Sequence, residues 1–536
     1  MGTVLKGKGV SVSTTAITKT LTTTLITALK NPKAYPDKPH QVHMIETHLS
    51  WVFLTGHTAY KVKKPVSFYF ADFSTLALRQ HYCTIELALN RELNDEIYLS
   101  LVTINQASDG TIKINGDGEI IDYALQMREF KQNNLLCEVI KRNELTTNMI
   151  DDLAQTVADF HQRTPIALAD SAHGTPDNVW YRVEKNFSEA YPFFTKPEDV
   201  ALLKELEHIA IQEHARLTPV FEARKKDGYI RSCHGDLHLR NMVLLNNKPV
   251  IFDRIEFNEL WRWVDVMADT AFMLIDLCHH QQPRLATRFL NRYLHVTGDY
   301  QGLAVLRYYM NYRALVRAKI HLYETKFEQN PEKIAHLYQL HHNYVQLAQS
   351  FNNPRKKQLF IMHGVSGSGK STMAQIIAEH IGGIYIRADV ERKRLFPHAS
   401  RAALYQPETT ETVYDHLLAL SQGIIQNNYP VIVDATFLNP EHRQLFFNLA
   451  HQLDAQFGII DCQANRETLT NHLLQRANTA ENVSDATLDV LNEQLANDFS
   501  LGENELLYTL SLNTDALLEV HAIISGYRTK FETDGE

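Results

Sequence analysis

Short apolar runs and helically spaced apolar positions divide this chain into stretches of distinct character. A helix is predicted over residues 21–29, ended by Asn31-Pro32. Residues 51–57 and 58–65 then read as two strands joined by a tight turn at Gly56. A helical segment follows around 76–92. The region 102–130 holds further strand-like pieces, with a turn at Asn115-Gly116-Asp117-Gly118. From Glu144 onwards helices dominate. Residues 150–161 and 200–217 carry apolar residues at helical spacing, and 304–327 and 334–351 read as long amphipathic helices. One hairpin interrupts them: Met242-Val243-Leu244-Leu245, a turn at Asn246-Asn247-Lys248, then Pro249-Val250-Ile251-Phe252-Asp253. A polar stretch broken by Pro354 follows, and beyond it the pattern changes. Leu359-Phe360-Ile361-Met362 is an apolar run short enough for a buried strand, 373–378 is helical, and 384–386 and 430–434 are strands. The predicted segments are a leader and first helix (1–40), a strand-rich small lobe (41–135), a helical large lobe (136–350), a linker (351–357) and an α/β domain (358–536).

The sharpest motif opens the last segment. Gly364-Val365-Ser366-Gly367-Ser368-Gly369-Lys370-Ser371 lies between a strand and a helix and fits G-x-x-x-x-G-K-[ST]. Gly364, Gly367 and Gly369 permit backbone angles barred to other residues, so several N–H groups can converge on one anion. The helix behind them adds its positive N-terminus. Ser368 and Thr372 complete the expected ATP cradle. Lys370 is expected to reach the β- and γ-phosphates, and the Ser371 hydroxyl to ligate Mg²⁺. Asp389 follows a strand end, where open α/β sheets bind ligands, and is the candidate base for an acceptor hydroxyl. Arg392, one turn later, and Arg443 are candidate substrate ligands. Asp434 ends an apolar run and is the expected second metal-side group. Arg466 and Arg476 flank a predicted lid helix, 468–475, and Arg476 is a candidate ATP contact.

A second constellation lies at His234-Gly235-Asp236-Leu237-His238-Leu239-Arg240-Asn241. Its Asp-to-Asn spacing matches H-R-D-x-x-x-x-N, with Gly235 in place of Arg. Asp236 is the candidate catalytic group that orients a hydroxyl proton. Asn241 and Asp253, returned by the hairpin, are candidate metal ligands; Glu256 is a weaker one. His238 reads equally as a packing residue or a substrate contact. Lys61 and Lys63 share one strand face, and Glu86 sits on the next helix. These are parts a protein-kinase-like fold uses on ATP phosphates, although ordinary surface lysines on a strand fit as well. Asp265 and Asp269 are either a buttress for the catalytic loop or helix-start charges. Arg313, Arg317 and Lys319 read as a solvated face.

Composition narrows the partners. The 536 residues suit two to four domains, with 44% hydrophobic and 21% charged. Lys+Arg number 53 against 62 Asp+Glu, a net charge of −9. That argues against a broad nucleic-acid footprint while leaving a local basic groove open. Cys83, Cys137, Cys233, Cys278 and Cys462 form no C-x-x-C pair, so reduced thiols in a cytoplasmic protein are expected rather than disulfides or zinc. His279-His280 and His341-His342 point in different directions on a helix and read as non-metal. No run reaches membrane-spanning length, and Lys6 breaks the myristoylation pattern. Residues before Asp37 hold no acid and no arginine, and read as a leader rather than a transit peptide.

The run His234–Asn241 with Asp253 resembles the aminoglycoside-phosphotransferase and choline-kinase-like group. That resemblance implies a two-lobed α+β protein-kinase-like fold, adenine clamped between lobes, ATP with Mg²⁺, and transfer to a small-molecule hydroxyl. The runs 46–56 and 61–66 are similar to bacterial proteins that join such a domain to a P-loop kinase domain. Asp389-x-x-Arg392 and 434–443 resemble polynucleotide kinase, zeta toxin and chloramphenicol phosphotransferase, implying an α/β P-loop domain with a parallel sheet, and a kinase rather than a motor. The expectation is a bifunctional ATP-dependent phosphotransferase whose acceptors are a small molecule and a nucleotide, nucleic-acid end or small molecule. The alternatives are one active kinase regulated by an ATP-sensing partner domain, or a toxin or resistance kinase.

Overall fold

The computed structural model describes residues 16–68, 70–194, 197–477, 487–497, 499–515 and 519–532; the first fifteen residues of the predicted leader lie outside them. The chain divides into two compact units. One is Met1–Val139 with His234–Arg262, and the other is Ile140–Cys233 with Trp263–Glu536. The loop and hairpin that carry Asp236 and Asp253 thus group with the strand-rich segment, while the helices group with the α/β segment.

The first unit is built on six antiparallel strands: β1 (His43–Glu46), β2 (Ser50–Leu54), β3 (Thr58–Lys63), β4 (Tyr98–Gln106), β5 (Ile112–Ile114) and β6 (Glu119–Arg128). Their spatial order is β1-β2-β3-β6-β4-β5. Gly56 turns β2 into β3 with a φ of +99°, a left-handed conformation that costs glycine little. One sheet face packs on the helix Ala16–Leu29 through Leu25, Leu29, Trp51, Phe53 and Val62. The helix Leu76–Arg91 is capped by Thr75, whose hydroxyl accepts the Leu78 N–H. Its buried stripe is Arg79, Cys83, Glu86 and Asn90, a helical period filled mostly by polar residues. Each polar member must therefore find a partner inside the unit. Arg79 meets Asp122 at 2.8 Å, and Asn90 donates to the Glu86 and Arg254 carbonyls.

Along the chain come β7 (Ile230–Ser232), the hairpin β8 (Met242–Leu245) and β9 (Lys248–Ile251), and β10 (Trp263–Asp265), which pairs with β7. The hairpin of β8 and β9 belongs to the first unit, and the pair of β7 and β10 to the second. The helices of the second unit include Thr147–Arg163, Pro197–Lys226, Val266–His279, Pro283–Thr297, Leu303–Glu324 and Pro331–Ser350. Arg224 fixes their core, gripping Asp265 and Asp299 with two 2.8 Å contacts to the latter. Asp265 also caps Val266–His279 by accepting the Met267 N–H, so the helix-start reading fits it. Asp269 is buried against His161. Arg313, expected on a solvated face, is buried instead, with Nε donating to the Ala268 carbonyl. The apolar residues around it on Leu303–Glu324 draw it inward, and a carbonyl and the Phe272 ring accept the charge. His279 stacks on Tyr344 at 4.1 Å, a packing role. All five cysteines are free.

The α/β segment of the same unit holds five parallel strands: β11 (Gln358–His363), β12 (Ile384–Arg387), β13 (Val431–Asp434), β14 (Gln456–Gln463) and β15 (Thr509–Asn513). Their order is β12-β13-β11-β14-β15, so β11 is central and buried at every position. Parallel strands covered on both faces read as unbroken apolar runs, which is why β11 and β13 stood out in the sequence. No described helix is long and apolar enough to cross a membrane.

Candidate active sites

In the first unit the hairpin ladder brings the two ends of the candidate catalytic stretch together. The Phe252 N–H donates to the Asn241 carbonyl at 3.0 Å, so Asp253 emerges beside Asn241. Two histidines shape the loop. His234 Nε2–H donates to the Phe252 carbonyl at 2.8 Å while its Nδ1 accepts the Asp236 N–H. His238 Nδ1 accepts the Arg240 N–H, which leaves Nε2–H to hold Asp236 Oδ2 at 3.1 Å. Asn241 donates its amide to the Asp236 carbonyl and to Oδ2, at 3.0 and 3.1 Å. Both bonds use Nδ2, so Oδ1 remains the acceptor of this side chain. The Asp236 side chain keeps 36% of its surface exposed and Asp253 keeps 37%, so both are open to a ligand.

Asp253 has a φ of +65°, and its N–H is received by the buried Tyr98 hydroxyl at 3.0 Å. Lys61 reaches Asp253 and also Glu86, at 2.5 and 2.7 Å. Lys63 reaches Glu86 at 2.6 Å and also pairs with Glu256. The alternative of surface lysines therefore does not describe them: both sit inside a cluster of two ammoniums and three carboxylates. Burial works against the Lys61 ammonium, but Asp253 and Glu86 outweigh it and hold it well above its ordinary range. Burial would likewise raise Glu86, yet the two lysines bring its carboxyl down to about 2. Glu256 goes the other way, up to about 7, through burial and the charge of Glu86. Tyr98 lies 155 residues before Asp253, and no local pattern flagged it; Lys63 and Glu256 were both candidates, but their pairing joins positions 193 residues apart and could not be read locally.

In the second unit the phosphate loop has the expected backbone. Gly364, Gly367 and Gly369 have φ of +132°, +87° and +81°. A Cβ on Gly364 would lie 2.5 Å from the Cys462 carbonyl oxygen, so strand β14 leaves no room for a side chain. Ser368 is fully buried with its hydroxyl unpartnered among the described residues, a donor waiting in an anion-shaped turn. Lys370 folds back onto the Val365 carbonyl at 2.7 Å, and the Ser366 N–H is taken by Gln494 Oε1 at 2.8 Å. Ser371 Oγ donates to Asp434 Oδ2 at 2.7 Å. Thr372 is exposed in the first turn of the following helix.

The predicted lid is the helix Arg466–Ala477. It lies on the loop, with Leu469 and Leu473 packed around Val365 and with Leu491, and His472 Nδ1–H donating to the Gly367 carbonyl. Arg466 is tied to Asn492; the side chain of Arg476 lies outside the described residues. Asp389 sits in the first turn of the helix Ala388–Leu395 and is half-buried. Arg392 is buried, donating to the Leu404 carbonyl, with Nε unpartnered among the described residues. Arg443 is 2% exposed and grips both oxygens of Glu505 and the carbonyls of Phe437 and Leu438. Its guanidinium thus braces the Glu505 carboxylate against the Phe437-Leu438 backbone.

Residues 136–308 match the family described as phosphotransferase enzyme family, and residues 359–498 match the family described as AAA domain. An uncharacterized protein of Mycobacterium tuberculosis is 27% identical over 469 residues, which is 85% of this chain and 89% of that protein. Among solved structures, a choline kinase from Cryptosporidium parvum covers 61% of this chain and 96% of its own, at 12% identity and a TM-score of 0.38. A gluconokinase from Sinorhizobium meliloti covers 34% of this chain and 99% of its own, at 16% identity and a TM-score of 0.25.

Proposed function

We propose that this chain, which joins a phosphotransferase-family domain to an AAA-type, kinase-like P-loop domain, is a bifunctional kinase. Each part would bind its own ATP with Mg²⁺ and transfer the γ-phosphoryl group to an alcohol. The observation that carries this reading is duplication. A lysine that could meet phosphate, oxygen donors suited to a cation and a carboxylate suited to an acceptor occur once around Lys61, Asn241, Asp253 and Asp236, and again around Lys370, Ser371, Asp434 and Asp389. A sensing domain would need only one set.

The donors suit Mg²⁺, which takes oxygen ligands and binds through one or two carboxylates plus phosphates. Asn241 Oδ1 and Asp253 would hold it in the first site, and Ser371 Oγ and Asp434 in the second. Bound there, it would neutralise charge on the β- and γ-oxygens. The protein's own contribution is placement. In the first site Lys61, held charged by Glu86 and Asp253, would meet the α- and β-phosphates. Lys63, deeper and fully paired, would keep Glu86 in register. Asp236, steadied by His238 and Asn241, would accept a hydrogen bond from the attacking hydroxyl and take its proton. In the second site the N–H groups from Gly367 to Thr372 would wrap the phosphates, with Lys370 swinging from Val365 to the γ-side. Gly364 would let the loop pass beneath Cys462. Asp389 would orient the second acceptor, with Arg392 one turn on along the same helix. The acceptors are small molecules or nucleotides; the net charge of −9 disfavours an extended nucleic acid.

Asp236→Asn and Asp389→Asn should each abolish one acceptor-dependent phosphorylation and spare the other, when labelled ATP and a cell-extract metabolite pool are supplied. Loss of all turnover in Lys370→Ala alone would refute two independent sites.

A further inference from the structure

Strand β12 is the outer strand of its parallel sheet, so one row of its backbone groups has no neighbouring strand. The row is nonetheless filled. The helix Pro283–Thr297, from the phosphotransferase-family segment, lies along it. Asn291 Oδ1 accepts the Tyr385 N–H at 2.7 Å, and Asn291 Nδ2 donates to the Gly383 carbonyl at 3.0 Å. One amide side chain thus pairs with the strand edge as another backbone would. One turn on, His295 Nε2–H donates to the Tyr385 carbonyl at 2.6 Å. The ring is neutral there, since surrounding protein and the Arg387 charge push its pKa down to about 4. On the same face Arg288 bridges Asp151 and Glu379, at 2.9 Å from the latter. Three hydrogen bonds from side chains 90 to 94 residues upstream bracket the backbone of Gly383 and Tyr385.

The Tyr385 side chain points the other way, into the phosphate site. It is 4% exposed, and its hydroxyl donates to Asp434 Oδ2 at 2.8 Å, with the Ser371 carbonyl 3.2 Å away. Ser371 Oγ donates to the same Oδ2. Arg387 Nε lies 3.6 Å from it. Both hydroxyls fall on one oxygen, which fixes the rotation of the carboxylate about its own axis and commits its other oxygen to one direction.

We propose that Tyr385 is a positioning residue for Asp434, and that the phosphotransferase-family helix holds it in place through Asn291 and His295. This role rests on the metal-side reading of Asp434. It makes the P-loop site structurally dependent on a helix outside its own domain. A shift of that helix would reach the metal-side carboxylate through a single residue, from β12 backbone to phenol to Oδ2.

The test uses the full chain in an Asp253→Asn background, which leaves the P-loop site as the Mg²⁺-dependent one, with Lys370→Ala identifying its share of the signal. ATP affinity is measured by calorimetry with and without Mg²⁺. Tyr385→Phe keeps the ring and removes one hydrogen bond to a charged group. It should lower the Mg²⁺-dependent gain in affinity roughly tenfold and leave Mg²⁺-free affinity within about twofold. Asn291→Ala should lower the same gain by a smaller factor and speed hydrogen exchange at the Tyr385 amide. A purely structural role for Tyr385 would lower both affinities alike, and that result would overturn the proposal. An unchanged Mg²⁺ gain in Tyr385→Phe, with the gain lost in Asp434→Asn, would also overturn it while leaving the metal site standing. An unchanged gain in Asp434→Asn would instead remove the metal-side reading, and this proposal with it.

Discussion

Glu256→Gln is the perturbation that most directly probes the buried charges of the first unit. Lys63 stands between two carboxylates, Glu86 and Glu256, and all three are essentially buried. One ammonium cannot fully neutralise two acids, and Glu86 is already claimed by Lys61 as well. Glu256 is the member that yields: burial and the charge of Glu86 raise its carboxyl from 4.5 to about 7. A raised carboxyl means that the folded state holds a proton which the unfolded chain has released. Stability therefore falls as pH rises from about 4.5 to about 7, and levels off above. At 1.36 kcal/mol per pH unit the whole window is worth on the order of 3 kcal/mol. Glutamine mimics the protonated acid at every pH and still accepts from Lys63. Its stability relative to wild type should therefore rise by about 2–3 kcal/mol between pH 5 and pH 8. Hydrogen exchange at the β3 amides, measured at both pH values, reports this unit by itself. An equal effect of Glu256→Gln at the two pH values would refute the reasoning, because it would mean that Glu256 does not change its protonation in the folded state relative to the unfolded chain between them.

Two further outcomes follow from the phosphate loop. Gln494→Ala frees the Ser366 N–H from its side-chain acceptor, and ATP affinity at the P-loop site should rise by roughly fivefold, the worth of one ordinary hydrogen bond; equilibrium binding with Asp253→Asn as background measures it. Gly364→Ala drives a methyl group against the Cys462 carbonyl at a φ of +132°, and nucleotide-dependent thermal stabilisation by that site should vanish while the first site's ATP response persists.

The two motifs were legible because each is local. The phosphate loop needs glycines, a lysine and a hydroxyl within eight consecutive positions, placed between an apolar strand and a helix. Asp236, Asn241 and Asp253 lie on one loop and one hairpin, so short-range turn chemistry returns them to each other. The inward face of Leu76–Arg91 was less legible. Its helical period is plain, but it buries arginine, glutamate and asparagine, and hydrophobicity gives no sign of that. Arg443 was a candidate substrate ligand, and its pairing with Glu505, 62 residues later, could not be read from either local stretch.

What the sequence determined alone was the kind of backbone at each candidate catalytic stretch and the side chains mounted on it. Those depend on dihedral preferences and apolar periods that act over a few residues. What the tertiary structure decided was the company each charge keeps. Lys61 became a buried lysine paired with carboxylates only when Asp253, 192 residues later, closed on it, and Tyr385 ceased to be a plain strand residue only against Asn291 and Asp434. Such pairings form when distant segments pack and exclude water, and a charge without its partner would not be tolerated there.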